Sequence, residues 1–158
     1  MFSLTKLLLV PVMLVFALTA PAALADEDHD HKHDTKVADN YSAAVGQIHH
    51  ALAKIKQLVE SGKLKQVHGD ADAIVAVCKA LPELALKEGS GVPKEAVKEV
   101  NLASKELAKA ADAAHSASDK GNLEETKKAH ALMLPLFEKI KKHAKAHGKD
   151  EHDHEHKK

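Results

Sequence analysis

"IHHALAKIKQLVESGKLKQVHGDADAI", residues 48–74, holds two apolar stripes with a turn between them. Extended back to Tyr41, the first stripe runs Tyr41, Val45, Ile48, Leu52, Ile55 and Val59. Steps of alternately four and three residues keep all of them on one face of an α-helix, whose period is 3.6 residues. Asp39 or Ser42 can cap its start, because a short polar side chain there accepts from the open N–H groups of the first turn. Ser61-Gly62 ends it, glycine being the residue that takes the left-handed conformation past a helix terminus. The second stripe runs Leu64, Val67, Ala71, Ile74, Cys78 and Leu81.

Working outward, Pro82 kinks or weakens the second helix, since proline lacks the N–H that an interior position needs. "KEGSGVP" (87–93) reads as a loop, and Pro93 suits the first turn of a third helix. That helix carries Val97, Val100, Ser104, Leu107, Ala111, Ala114 and Ser118, a face of small residues that lets a neighbour approach closely. "DKGN" (119–122) is the next turn, and the fourth helix carries Leu123, Thr126, His130, Met133, Phe137, Ile140 and Ala144. No segment alternates like a strand. The expected fold is all-α, an up-down-up-down four-helix bundle over residues 39–147. "SGKL" in the first half answers "KGNL" in the second, which hints at a duplicated hairpin.

The chain opens with MFSLTKLLLVPVMLVFALTAPAALA, residues 1–25: one early lysine, an apolar run, then Ala23-Leu24-Ala25 before Asp26. This is the pattern of a secretory signal peptide, with an apolar run short for a membrane span. The expected product starts near Asp26 and is periplasmic or secreted, not membrane-embedded. A single cysteine, Cys78, allows no internal disulfide. The 23 basic residues are all lysine; 23 less Lys6 leaves 22 against 23 acids after cleavage. That balance, the lack of arginine and the scarcity of aromatics argue against nucleic-acid binding.

Thirteen residues are histidine, and their placement turns the reading toward metal. Residues 26–38 and 148–158 read as disordered tails in which His29, His31 and His33 at one end and His152, His154 and His156 at the other alternate with acids. Neutral imidazole ligates Zn, Cu, Ni and Co, and neighbouring carboxylates offset the cation's charge. A solubilising or pH-responsive tail is the plainer alternative. His143 and His147 stand four residues apart at the end of the fourth helix, where they can share a face.

Inside the bundle, His130 takes a centre position of its stripe, His49, His68 and His115 flank theirs, and His50 points away to solvent. Counting a rise of about 1.5 Å per residue from the two turns puts His68, His115 and His130 within about one turn of the same height. Metal sites in bundles are assembled from side chains on facing helices in this way. Alternatively, each histidine is a half-buried helix residue bonded to a carbonyl or an acid. Asp72 lies four residues after His68 and Asp119 four after His115, and either serves both readings. Cys78 reads as a small buried hydrophobe, and Met133 is the only methionine left after cleavage, too little for a methionine-rich Cu(I) carrier.

"IHHALAKIKQLVESGKLKQVHGDADAI" followed by "LAKAADAAHSASDKGN" resembles small exported helical proteins associated with heavy-metal resistance and efflux in bacteria. Ile48-His49, Val67-His68 and His115 carry the likeness, which spans about residues 41–140; His130 lies outside that pattern. The architecture is also similar to the four-helix cytochromes, but the chain has no CxxCH. The resemblance implies a divalent-metal buffer or carrier beside a membrane efflux system. Two other readings stay open: a haem-binding electron carrier using His130, His115 or Met133, and an interaction or sensor module of such a system. No nucleophile constellation points to an enzyme.

Overall fold

The computed structural model describes residues 36–144. They form an all-α four-helix bundle: α1 (Tyr41–Glu60), α2 (Val67–Leu86), α3 (Val97–Asp119) and α4 (Leu123–Lys141). Among the described residues there is no strand. Each helix packs on its chain neighbours, and α1 also packs on α4, so the four close into a ring. Cross-helix pairs show that every neighbour is antiparallel. Lys54 meets Asp70 between α1 and α2, His115 meets Asp72 between α2 and α3, and Glu99 meets Lys142 just past the end of α4. The Tyr41 hydroxyl donates to the Ile140 carbonyl at 2.9 Å, joining the start of α1 to the end of α4.

The apolar stripes meet in one core. Ile48, Ile55, Val67, Ile74, Leu81, Val100, Leu107, Met133 and Ile140 are each at least 99% buried. Each large aliphatic side chain so placed contributes roughly 1.5–3 kcal/mol relative to leaving it in water. Ser104 and Thr126 are buried too, but their hydroxyls donate to carbonyls one turn back, Val100 and Asn122, so neither is left unsatisfied.

Both tight turns are built alike. At the end of α1, Gly62 has φ +69°; its N–H bonds the Val59 carbonyl, and the Lys63 N–H bonds that of Leu58. At the end of α3, Gly121 has φ +66°, with Gly121 bonded to Ser118 and Asn122 to Ala117. This nested pair of bonds is the Schellman closure, and a side chain at the left-handed position would strain it. The "SGKL" and "KGNL" segments therefore share a geometry as well as a pattern. They then diverge. Asn122 goes straight on to cap α4, accepting from Glu125 N–H, whereas residues Leu64–Gln66 form a 3₁₀ turn before α2.

Two local expectations are corrected, and one helix continues past the proline expected to kink or weaken it. Asn40, not Asp39 or Ser42, caps α1, its side chain accepting from Ala43 N–H at 2.9 Å. Pro93 precedes a 3₁₀ turn, Lys94–Ala96, that leads into α3, and does not sit in the helix itself. Finally, α2 runs through Pro82 to Leu86, and α4 likewise runs through Pro135. Each proline removes only its own hydrogen bond, and tertiary packing on both sides holds the helix together. Among the described residues no helix is long and apolar enough to cross a membrane.

Candidate metal centre

Small residues set the α2–α3 seam. Ala71 on α2 and Ala111 and Ala114 on α3 are completely buried, and α2 and α3 pack against each other. Along the edge of this seam each helix presents the same pair at i and i+4, His68 with Asp72 and His115 with Asp119. Residues so spaced share a helix face. Because α2 and α3 are antiparallel, the histidine of one motif comes opposite the aspartate of the other. His115 Nδ1 is 2.6 Å from Asp72 Oδ1, and His115 Nε2 is 3.0 Å from Asp119 Oδ2. The other Asp119 oxygen stands 3.7 Å from His68 Nδ1, and the two imidazole centres are 5.8 Å apart.

His115 and Asp72 are both about three-quarters buried, whereas His68 and Asp119 are about half exposed. Facing a carboxylate on each side, the His115 ring satisfies both only as the imidazolium, which has two N–H donors; the neutral ring donates to one. The second oxygen of Asp72 is buried and has no hydrogen-bond partner. Asp112, one turn before His115, has its carboxyl held above the usual range, first by burial and then by the charge of Asp72, against the pull of Lys79 and His115. The residue as a whole remains exposed.

His130 is not part of this cluster. It reaches the opposite seam, where its Nε2 donates to the Leu52 carbonyl of α1 at 3.2 Å. The common height expected of His68, His115 and His130 therefore does not bring them together, because His130 turns toward α1. His49 sits on the same seam, its ring parallel to that of Phe137 at 5.8 Å. Between them runs a largely apolar groove of about 550 Å³, lined by Leu52, Val59, Leu134 and Phe137 along with the two histidines.

His143 lies elsewhere again. Helix α4 ends at Lys141, and His143 stands in the following turn; its expected pairing with His147 falls outside the described residues. His143 Nε2 is 3.4 Å from Glu99, whose carboxylate also accepts from Lys142 Nζ at 2.7 Å. The Lys142 hydrogen bond, more than that of His143, holds the Glu99 carboxyl below its ordinary range. His50 is exposed, as expected. Cys78 is buried, and its thiol is pushed up to about 12, first by burial and then by Asp112, so it offers no thiolate at neutral pH. Met133 is sealed in the core. His29, His31, His33, His147, His152, His154 and His156, with the signal sequence, lie outside the described residues.

Spacing marked Asp72 and Asp119 as partners of the histidine on their own helix. The bond from Asp72 across to His115 carried no sequence signal, since the two are 43 residues apart. Among the described residues no three His, Cys, Asp or Glu side chains already stand in a metal-holding arrangement. Comparison of the chain with family models, curated proteins and solved structures gives no match.

Proposed function

We propose that this chain is a periplasmic protein that binds divalent transition-metal ions, Zn, Cu, Ni or Co, and buffers them or hands them over beside an efflux or resistance system. One observation carries the reading: His68 and His115 lie side by side on facing helices with the Asp119 carboxylate against both. Imidazole nitrogen and carboxylate oxygen are the donor types such ions take. The His-acid runs at 28–34 and 151–158 add the same donors in greater number. The reading is binding because the groups brought together at this seam, imidazoles and carboxylates on facing helices, are metal-donor types.

The test is equilibrium dialysis of the chain from Asp26 against Zn(II), Cu(II), Ni(II) and Co(II), beside a version lacking 26–35 and 148–158. Residues 36–38 are kept because Gln47 bonds Lys36 and Ala38 there. The longer chain is expected to take up more than one ion and the shorter one to lose most of that capacity. Absence of uptake by both would overturn the reading.

A further inference from the structure

We infer that the two His-x-x-x-Asp pairs of α2 and α3 form a single mononuclear site, with His68, Asp72, His115 and Asp119 as ligands to one tetrahedral divalent ion. The inference rests on the metal-binding function just proposed and assigns a place in the fold to one of its ions.

Three features support it. The first is the near-twofold relation of the motifs. Antiparallel packing sets His68 opposite Asp119 and Asp72 opposite His115, so all four side chains border one patch of the seam. The second is scale. Two imidazoles bound through bonds of about 2 Å to one tetrahedral ion have ring centres roughly 5 Å apart, and here the centres are 5.8 Å apart. The third is the buried Asp72 oxygen that no donor satisfies. A divalent ion held between the motifs would set a full opposite charge against this half-satisfied, buried carboxylate, which a neutral ring does not.

Charge and donor count agree. Two carboxylates neutralise a divalent ion, and two imidazoles with two monodentate oxygens complete a four-coordinate shell of the kind Zn(II) and Co(II) adopt. Loading requires side-chain rotation. The His115 ring gives up its hydrogen bonds to Asp72 and Asp119, the ion takes the place of one shared proton, which leaves to solvent, and the ring keeps its other N–H as a neutral imidazole.

The test is a Co(II) titration of the chain from Asp26, followed by its visible ligand-field absorption, which is intense for tetrahedral and weak for octahedral cobalt. One equivalent is expected to give the intense band. Asp72→Asn, which keeps the side chain's shape, and His115→Gln are each expected to weaken that event by tenfold or more, since loss of even an outer-shell partner costs 10–100-fold. His130→Leu is expected to leave it unchanged. Circular dichroism checks that each variant is folded, and Asp72→Asn stands alone if His115→Gln is not. If the band is absent, or survives both substitutions while the chain still takes up several ions, the site is overturned and the metal-binding function stands. If no ion binds at all, both fall.

Discussion

At the α2–α3 seam, His115 faces carboxylates on both sides and His68 lies beside it; at the α1–α4 seam, His130 reaches a backbone carbonyl and His49 lies flat against Phe137. Both pairs straddle two antiparallel helices, and both stand at the edge of an apolar stripe. The neighbours differ. At the first seam two His-Asp motifs face each other, whereas the second is a groove lined by Leu52, Leu134 and the Phe137 ring. An imidazole has an apolar face and two polar nitrogens, and the partner helix decides which of them is used. Counting histidines on a helix therefore says little about metal until the partner's side chains are known.

The largest expected effect lies on the apolar seam. Phe137→Ala removes a 97%-buried ring and the surface on which His49 stacks. It is expected to cost about 3–5 kcal/mol, read from urea unfolding. A loss below about 1 kcal/mol would mean that this seam is not held by packing.

A direct contrast of the two central histidines comes next. His115→Leu leaves Asp72 and Asp119 without their ring partner in a half-buried setting and is expected to cost about 1–2 kcal/mol at neutral pH. His130→Leu gives up one hydrogen bond but extends an apolar groove, and its unfolding free energy should stay within about 1 kcal/mol of the parent. Equal losses from the two would erase the distinction between the seams.

The smallest effect tests a histidine belonging to neither. The lowered Glu99 carboxyl contributes stability above its unfolded pKa, and this is lost as pH falls through the lower folded value. Glu99→Gln should therefore lower the urea midpoint slightly at pH 7 and converge with the parent at a pH below the lowered folded value. A difference unchanged between the two pH values would show that the Lys142 and His143 contacts do not act through charge.

Much of the fold was legible because apolar spacing reports directly which side of a helix faces inward. The members of the α3 stripe from Val100 to Ser118 are all buried, as the spacing implied. The cap of α1 was less legible because Asp39, Asn40 and Ser42 are all competent acceptors. The choice among them follows from where the buried Tyr41 anchors the first turn. His130 shows the limit more clearly. Its stripe position gives the angle on its own helix, but not which of two neighbouring helices that angle meets. The Asp72–His115 contact depends further on how the connection between Leu86 and Val97 sets the register of α2 against α3, which helix periodicity does not encode.

The Tyr41–Ile140 hydrogen bond has a consequence for avidity. It fastens the entry of α1 to the exit of α4, so the first helix begins and the last helix ends at one pole of the bundle. The His68–His115 cluster stands near the Gly62 and Gly121 turns, at the other pole. Under the proposed metal-binding function, donors that precede residue 36 and donors that follow residue 144 meet a shared ion at an effective concentration set by tether length rather than by protein concentration. Ligation that spans both ends should therefore be independent of dilution, and it should weaken if a rigid spacer is inserted after Ala144.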